Sequence, residues 1–474
     1  MLAARVPLCV DIDGTLIRTD ALMEAILELL RRNPACAVLL LVWLLRGRGV
    51  LKAEVMRRAA LDARSLPENA EILEWLKLEK ANGRQLILCT GATADYGEAV
   101  ARRFGLFDRV LASDGSVNLT ATRKAARLVA EFGPGGFDYA GNAVCDLPVW
   151  QQARAAIVVA PTLPLEMQLR RVPRVAAVFP RPTGRLKSWL QAARLHHWAK
   201  NALVFVPALA AQALGQPEVL TQSLVAFLAF SIAASGIYMQ NDLLDLAADR
   251  LHPGKRNRPF ARGDLQAGEG VAAAALLIGV GLAIGYLLLG WLFLLVQCGY
   301  IAGTAAYSAD IKRRPVVDIL WLAGLYTGRI LAGSAATGIE PSFWLLAFSM
   351  FLFLSLAAAK RSAELIGLEL RSEQRAHGRG YTVDDQPLLL AFGVAAAYTS
   401  VLVLALYVFS RAEALYAQPY VLWLLCPALL YWVSRIWLKT HRRQLHEDPL
   451  VFALTDGPSL LIGAACAGLL WLAA

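Results

Sequence analysis

The sequence predicts a multidomain chain in which an α/β domain with a helical cap precedes an all-α bundle of nine transmembrane helices. Residues 1–190 have charges spread throughout, and short apolar runs there end in polar residues, which is typical of buried strands. From about Ala199 onward, long apolar runs alternate with basic clusters, the pattern of a polytopic membrane protein. The predicted limits are 1–160 for the α/β domain (cap at about 16–80), 161–190 for a linker, and 191–474 for the membrane domain.

Composition and charge narrow the classes of function. The chain has 474 residues, 57% of them hydrophobic, and a formal net charge of +10. Its basic residues fall largely between the apolar runs, where membrane orientation and phosphate binding account for them, so no nucleic-acid partner is expected. The seven cysteines have no paired spacing, which predicts neither a disulfide framework nor a zinc site. A homo-oligomer is compatible with this composition.

The first strand of the α/β domain is predicted at residues 6–10, and it ends in a pair of carboxylates. Asp11 and Asp13 lie two positions apart at the strand end, so they point the same way and can share one cation. Gly14 permits a sharp turn directly after them.

Three further polar elements follow in order. They are Thr90 after a strand at 85–89, Lys124 in a helical pattern, and Asn142 and Asp146 after a strand at 137–140. Taken singly, the four elements have ordinary interpretations as an acidic turn, a strand-ending turn, a solvated lysine and a loop. In this order they resemble the four motifs of the haloacid dehalogenase (HAD) hydrolase superfamily, over roughly residues 5–160.

That resemblance implies a Rossmann-like sheet with a phosphatase site at the carboxyl ends of its strands. Asp11 would be the nucleophile that forms an aspartyl-phosphate, and Asp13 would protonate the leaving oxygen. Thr90 would hydrogen-bond the phosphoryl oxygens, and Lys124 would neutralise their charge.

The same resemblance implies a Mg²⁺ site. Its ligands would be Asp11, the backbone carbonyl of Asp13, and Asp146. The family usually has aspartate where this sequence has Asn142, which can coordinate the ion or position water but contributes no charge. The sequence therefore predicts the HAD fold of this domain more firmly than it predicts phosphatase activity.

The predicted cap contains a strongly apolar segment, Cys36–Leu45. It is too short to span a bilayer. It is expected to be a buried cap helix or, alternatively, a surface that docks on the membrane or on the second domain.

The membrane domain contains nine apolar segments. They lie near 201–215, 219–240, 270–288, 290–308, 316–337, 342–359, 388–409, 417–438 and 459–473. Basic residues concentrate in the connections after the second, fourth, sixth and eighth segments, at 250–262, 312–314, 360–379 and 439–443. The positive-inside rule places these loops and the N-terminus in the cytoplasm, and no signal peptide precedes the first strand. The expected location is the inner membrane, with the active sites on its cytoplasmic side.

A row of carboxylates follows the second apolar segment. Asp242, Asp245 and Asp249 recur at spacings of three and four, so on one helix they would share a face. A solvated polar helix end is the ordinary interpretation, whereas a cation bridging the carboxylates to a phosphate-rich ligand explains their clustering better. The basic residues directly after them serve topology, phosphate binding or both: Lys255, Arg256 and Arg258.

This row, which begins at Asn241, resembles the NDxxDxxxD metal motif of the UbiA superfamily of intramembrane prenyltransferases. The resemblance implies a nine-helix bundle around a cavity open to the cytoplasm. Those enzymes normally carry a second aspartate-rich motif after the sixth span. Here that place reads AAAKRSAEL, with Lys360 and Arg361 where carboxylates would be expected.

Five segments resemble one branch of that superfamily, the decaprenyl-phosphate phosphoribosyltransferases. They are RLHHWAKN (194–201), NDLLDLAADRLHPGKRNRP (241–259), YSADIK (307–312), AAAKRSAEL (357–365) and EDPLVFALTD (447–456). The branch moves 5-phosphoribose from phosphoribosyl pyrophosphate (PRPP) onto a polyprenyl phosphate, with Mg²⁺ on the aspartate row. By this resemblance Lys200, Lys360 and Arg361 would hold the acceptor phosphate, and Tyr307 and Lys312 would line the donor site.

The combined expectation is a bifunctional membrane enzyme. The HAD domain would remove the 5-phosphate, giving polyprenylphosphoryl ribose, a precursor of arabinose donors for cell-surface glycans. The alternatives are an aromatic prenyltransferase with a non-catalytic or regulatory HAD module, which should need a second carboxylate cluster, and a transporter. Carboxylates beside phosphate-binding cations suit an enzyme better than a transporter.

Overall fold

The computed structural model describes residues 6–59, 61–113, 119, 121–181, 183–369, 379–445 and 449–473. It forms two compact units, of which the first comprises Met1–Ala193 and Tyr238–Ala275 and the second comprises Arg194–Ile237 and Leu276–Ala474. Residues 370–378 of the third basic loop, and Glu447 and Asp448 of the last sequence motif, lie outside the described residues.

The first unit is built on a six-stranded parallel sheet. The strands are β1 (Leu8–Asp11), β2 (Leu86–Thr93), β3 (Arg109–Ser113), β4 (Asp138–Gly141), β5 (Ala156–Val159) and β6 (Val175–Phe179). Their order across the sheet is β3-β2-β1-β4-β5-β6, and all neighbours are parallel. The three strands expected from the apolar runs begin within two residues of their predicted starts, so the α/β prediction is confirmed.

Burial of both sheet faces explains why the functional residues follow the strands. In β1, Leu8 and Val10 belong to one hydrophobic cluster and Cys9 belongs to another, and all three are fully buried. A parallel sheet covered on both faces leaves little room for polar side chains within its strands. Polar groups therefore concentrate where β1 ends, beginning at Asp11.

Within the described part of residues 6–193, nine α-helices accompany this sheet. They are α1 (Ala21–Arg32), α2 (Cys36–Leu45), α3 (Arg48–Arg58), α4 (Ala70–Ala81), α5 (Ala94–Phe104), α6 (Ala121–Phe132), α7 (Leu147–Gln152), α8 (Leu163–Glu166) and α9 (Arg185–Ala193). The first four lie between β1 and β2, where the sequence predicts the cap.

Helix α2 corrects one expectation. Of its ten residues only Trp43 is buried, whereas Val38 and Leu45 are 67% and 81% exposed. The prediction of a buried cap helix is therefore wrong. Because α2 is apolar on nearly every side, one packing partner within the cap could cover only part of it.

The remaining helices begin after Arg194. They are α10 (Val206–Ala210), α11 (Pro217–Leu244), α12 (Leu246–Leu251), α13 (Pro259–Arg262), α14 (Ala267–Leu289), α15 (Trp291–Ala309), α16 (Val317–Thr337), α17 (Phe343–Glu369), α18 (Gln386–Leu415), α19 (Leu425–His441), α20 (Pro449–Thr455) and α21 (Gly457–Ala473). They make the all-α part of the chain.

Seven helical segments in the described part of the chain are long and apolar enough to cross a membrane. They are Pro217–Leu244, Ala267–Leu289, Trp291–Ala309, Val317–Thr337, Phe343–Glu369, Val383–Ser410 and Pro419–His441. The predicted count of nine is not confirmed, because the first and last predicted segments do not reach this length. The first is a 3₁₀ segment, Leu195–Phe205, followed by the five-residue α10, whose second residue is Pro207. The last is α21, which is apolar but has 17 residues.

The first compact unit includes a segment that the sequence analysis assigns to the membrane domain. Arg250, beside the aspartate row, donates hydrogen bonds of 2.7 and 2.5 Å to Glu24 on α1. Both side chains are less than a tenth exposed, and Thr19 donates to the same carboxylate at 2.6 Å. A buried ion pair thus joins α1 of the cap to α12.

Candidate active sites

The four elements of the phosphatase-like motif meet at the carboxyl edge of the sheet. Lys124 on α6 donates a 2.9 Å hydrogen bond from its Nζ to Oδ1 of Asp11 at the end of β1. The same ammonium donates to the Tyr139 hydroxyl at 2.9 Å, and that hydroxyl donates to Oδ1 of Asp146 at 3.0 Å. Backbone N–H groups of Asn142 and Ala143 donate to Oδ2 of Asp146, each at 3.0 Å. The ammonium of Lys124 is therefore held beside Asp11, the predicted nucleophile.

Charge and burial set the protonation of this cluster. Burial alone would lower the pKa of Lys124, but the carboxylates of Asp11 and Asp146 raise it above its ordinary value, so the ammonium stays charged. Burial, followed by the charges of Asp20 and Asp11, raises the pKa of Asp13 to about 7. A carboxyl group that keeps its proton to near neutral pH can serve as a general acid.

Asn142 and Thr90 complete the cluster. Gly14 has a φ of +71°, and a Cβ built there would lie 2.0 Å from Nδ2 of Asn142, so the asparagine amide packs directly on the loop after Asp13. Thr90 is 1% exposed, and its hydroxyl accepts a 3.0 Å hydrogen bond from the N–H of Ala92. Thr90 also lines one small pocket with Lys124, so the structure places it beside the cluster that Asp11, Lys124, Asn142 and Asp146 form.

The donors at this edge suit a hard cation. Asp11, the carbonyl of Asp13 and the Asn142 side chain offer oxygen, which is what Mg²⁺ prefers. Asp146 is the residue already committed to other partners, since both of its carboxylate oxygens accept hydrogen bonds. Asp11 and Asn142 are therefore the side chains better placed to hold the ion, and Asp146 orients the loop around them.

The aspartate row has a different geometry. Asp242 lies near the end of α11, which stops at Leu244. Asp245 precedes the separate short helix α12, which carries Asp249. The three carboxylates therefore do not lie on one continuous helix, as the sequence spacing suggested. Nη1 of Arg258 donates to Asp242 at 2.9 Å and to Asp249 at 2.6 Å.

Arg258 neutralises two carboxylates that are buried. Asp242 and Asp249 are 3% and 2% exposed, and burial raises the pKa of Asp249 although the charge of Arg258 opposes this. Two buried carboxylates need a positive charge between them. Arg258 supplies it here, and their oxygens would also suit Mg²⁺. Within the described residues, however, no group of three or more His, Cys, Asp or Glu side chains is placed to hold a metal ion.

The other residues assigned to this segment are more exposed. Lys255 and Arg256 lie on the exposed 3₁₀ turn Lys255–Asn257. Asn241 is half-buried on α11, and its carbonyl accepts from the N–H of Asp245 at 3.0 Å. The two basic side chains are therefore accessible to an anionic ligand.

The second unit contains a buried ionic network around Arg361, which is 1% exposed on α17. Its guanidinium donates to Asp318 (Nη2 to Oδ1 at 3.1 Å), to Glu364 at 2.6 Å and to the Tyr307 hydroxyl. Arg379 donates to the same hydroxyl at 3.0 Å and pairs with Glu364 at 3.3 Å. Two carboxylates and two arginines thus balance each other, and Arg361 is engaged in this network.

A second polar cluster in this unit surrounds Arg329, in the middle of α16. Arg329 donates to Asn201 at 3.0 Å and to the Tyr300 hydroxyl at 2.6 Å, and its guanidinium carbon lies 5.0 Å from the centre of the Tyr326 ring. Nζ of Lys200 lies 6.0 Å from the same ring centre. Two cations therefore flank one aromatic ring inside an apolar bundle.

Two further predicted basic residues are Lys312 and Lys360. Lys312 is on the 3₁₀ turn Ile311–Arg313, and Lys360 precedes Arg361 on α17. Both are half-buried and have partners of their own.

Several polar residues at these clusters were missed from the sequence. They are Tyr139, Asp318, Arg329 and Glu364. A charged residue within an apolar span is expensive and usually functional, so Arg329 and Asp318 carried a readable signal. Tyr139 carried none, because a tyrosine in a buried strand is ordinary core.

Comparison with known proteins confirms the resemblance to both families. The model of the UbiA prenyltransferase family matches residues 202–455, more than half of the chain. The model of the haloacid dehalogenase-like hydrolases matches residues 8–148.

Individual relatives extend this finding. The uncharacterised protein y4nM of Sinorhizobium fredii is 35% identical over 98% of this chain and 90% of its own length. The nodulation protein NoeC of Azorhizobium caulinodans is 38% identical over 58% of this chain and 89% of its length. A decaprenyl-phosphate phosphoribosyltransferase of Mycobacterium tuberculosis is 38% identical over 39% of this chain and 62% of its length. A solved UbiA homolog from Archaeoglobus fulgidus bound to GPP and Mg²⁺ aligns with a TM-score of 0.47 at 16% identity, over 60% of this chain and 99% of that one.

Proposed function

The chain belongs to the UbiA prenyltransferase family and carries an N-terminal HAD-like domain, and we propose that it makes polyprenylphosphoryl ribose in two steps. The first step transfers 5-phosphoribose from PRPP to a polyprenyl phosphate. The second removes the 5-phosphate from the lipid-linked product. The relatives named decaprenyl-phosphate phosphoribosyltransferase support the first step, and the phosphatase-like cluster supports the second.

In the transfer step, an oxygen of the acceptor phosphate bonds to the anomeric carbon of PRPP while the bond from that carbon to pyrophosphate breaks. The acceptor is already an anion, so no general base is required. Asp242, Asp245 and Asp249 would hold Mg²⁺, which when bound supplies positive charge to the departing pyrophosphate. Arg258 would then be released to bind phosphate oxygens, beside Lys255 on its exposed turn.

Residues of the second unit have supporting roles in this proposal. Lys200 and Lys360 would bind the acceptor phosphate. Arg361 would instead keep Tyr307 and Asp318 in place, because its donors already serve the ionic network. Lys312 and Asn241 stay candidates for the donor site.

The observation that carries the transfer step is the charge balance of the Arg361 network. A prenyltransferase that holds a prenyl diphosphate between two metal clusters needs a second excess of carboxylates. At the place of that motif, the described carboxylates Asp318 and Glu364 are matched by Arg361 and Arg379. Among the described residues of the aspartate row, in contrast, Arg258 pairs with Asp242 and Asp249 but not with Asp245. This asymmetry favours a donor that brings one metal-bound pyrophosphate.

In the phosphatase step, Asp11 attacks the 5-phosphate and Asp13 gives its proton to the leaving 5-oxygen of the ribose. Lys124 and Thr90 stabilise the phosphoryl oxygens, and water then hydrolyses the aspartyl-phosphate to release inorganic phosphate. The basic loops at 250–262, 312–314, 360–379 and 439–443 favour a cytoplasmic location for both sites, in the inner membrane. The product would serve as a precursor of arabinose donors for cell-surface glycans.

Purified full-length protein supplied with labelled PRPP, a polyprenyl phosphate and Mg²⁺ tests both steps. The proposal expects a labelled lipid whose mass corresponds to polyprenylphosphoryl ribose. If the lipid keeps its 5-phosphate, the HAD domain is a non-catalytic or regulatory module, for which Asn142 is the favouring observation. If no lipid is labelled, the transfer step is wrong.

A further inference from the structure

A cavity of about 140 Å³ adjoins the phosphatase-like cluster within the first unit. Gly14 of the catalytic loop forms one wall, and the chain that follows β5 and β6 forms another through Ala160 and Arg181. Carboxyl ends of parallel strands lie at one edge of a sheet, so this cavity opens at the same edge as Asp11. The mechanism proposed for the phosphatase does not use it.

The loop before α14 closes the cavity from a third side. Gly263 has a φ of +76°, and a Cβ built there would lie 2.7 Å from the Cβ of Arg18. This close approach brings Asp264 and Gln266 to the cavity wall. The cavity is therefore enclosed by catalytic-loop residues and by the segment that follows the aspartate row.

Three arginines line this space: Arg18, Arg181 and Arg185. Arg185 pairs with Glu269 at 2.7 Å. Nη1 of Arg181 is buried and has no hydrogen-bond partner among the described residues. Burial and then the neighbouring charge of Arg185 lower the pKa of Arg181, although the charges of Glu269 and Glu166 oppose this shift. Glu71 and Asp264 also line the cavity, so its walls carry both signs of charge. A buried guanidinium donor without a partner calls for an acceptor, and an anionic group is the acceptor that suits it best.

We propose that this cavity is a second anion subsite of the phosphatase, which binds the phosphoryl group on C1 of the ribose while Asp11 acts on the 5-phosphate. The inference rests on the proposed phosphatase step. An arginine guanidinium can donate two parallel hydrogen bonds to the oxygens of one phosphate group. The cavity volume is several times the roughly 30 Å³ that one water occupies, which is enough for a phosphate group. The subsite makes the phosphatase selective for sugars that carry two phosphoryl groups.

Two substrates could supply this C1 group, the lipid phosphodiester and the pyrophosphate of PRPP. The test compares phosphate release by the full-length protein from the lipid-linked 5-phosphoribose, from PRPP and from ribose 5-phosphate, which lacks a C1 phosphoryl group. The measured quantity is the ratio of kcat/KM for each two-phosphate substrate to that for ribose 5-phosphate. A ratio is insensitive to partial loss of folded protein.

Arg181→Gln is expected to lower this ratio at least about tenfold, because charge-assisted hydrogen bonds are among the strong ones. Arg181→Lys, which keeps the charge, is expected to retain most of it. Arg171→Gln removes an exposed arginine between β5 and β6, outside the cavity, and should match wild type. A fall for the lipid alone assigns the subsite to the diester, and an equal fall for PRPP assigns it to C1 phosphoryl groups in general. An unchanged ratio in Arg181→Gln overturns the subsite.

A binding measurement separates this inference from the proposed function. In Asp11→Asn protein, calorimetry should show ribose 1,5-bisphosphate binding at least about tenfold more tightly than ribose 5-phosphate, a preference that Arg181→Gln removes. If wild type releases no phosphate but this preference is present, the catalytic proposal fails and the subsite stands. Equal affinity for the two sugars contradicts the subsite even in an active enzyme.

Discussion

The phosphatase-like cluster and the aspartate row neutralise their carboxylates in different ways. Asp11 accepts a hydrogen bond from Lys124, whose ammonium is buried. The Tyr139 hydroxyl accepts a second hydrogen bond from the same ammonium and so also holds it in place. Asp242 and Asp249 share Arg258, which is a quarter exposed and follows a short turn. The first arrangement is a fixed cation that a phosphoryl group can join. The second is a more accessible cation, which under the proposed function would leave the carboxylates when a metal-bound ligand arrives.

The largest effect that tests this comparison is expected from Asp11→Asn. The change keeps size and hydrogen bonding but removes the nucleophile, so dephosphorylation should fall by about a thousandfold or more while transfer continues. Mass spectrometry of the lipid products should show the 5-phosphorylated form accumulating. Loss of transfer in a folded Asp11→Asn protein would mean that the two sites are coupled.

The next largest effect is expected on transfer, in variants of the aspartate row. Asp242→Asn or Asp245→Asn should lower transfer by about a hundredfold or more, because charge stabilisation by a bound metal contributes several kcal/mol. Phosphate release from added 5-phosphorylated lipid should persist in these variants, and that assay is the control for folding. Near-normal transfer in either variant would remove the aspartate row from the mechanism.

The buried ion pair between Glu24 and Arg250 joins the cap to the helix that carries Asp249, so its contribution to the free energy of unfolding can be measured. Removing one partner of a buried ion pair leaves an uncompensated charge, so Glu24→Gln should destabilise the first unit by about 3 kcal/mol. Glu28→Gln, on the same helix and paired with the more exposed Arg31 and Arg32, should cost under about 1 kcal/mol. Denaturant unfolding of both variants measures the difference, and equal losses would show that the Glu24 pair has no special role.

The smallest expected effect is at Asn142. Asn142→Asp adds a carboxylate against the loop of Asp13 and Gly14, so half-maximal phosphatase activity should need about tenfold less Mg²⁺. A magnesium titration of phosphate release checks this. An unchanged requirement would show that this side chain does not contact the ion.

The sequence predicted the parallel-sheet domain and its cluster well, because each polar residue follows a buried strand and parallel strands end at one edge. It did not predict the break after Leu244, since a spacing of three and four is compatible with either one helix or two. The engagement of Arg361 was equally hidden, because its partner Asp318 lies on another helix, 43 positions away. The sequence did not predict the exposure of α2, because its composition shows that the helix is apolar but not whether another element packs on it.

The central claim is that the membrane domain uses PRPP and one pyrophosphate-binding carboxylate row. The most direct measurement supplies the purified protein either with labelled PRPP and a polyprenyl phosphate or with a prenyl diphosphate and 4-hydroxybenzoate, in both cases with Mg²⁺. The account predicts a labelled lipid-linked ribose from the first pair and no prenylated aromatic from the second. Prenylated aromatic product at a comparable rate, with no ribosylated lipid, would contradict it.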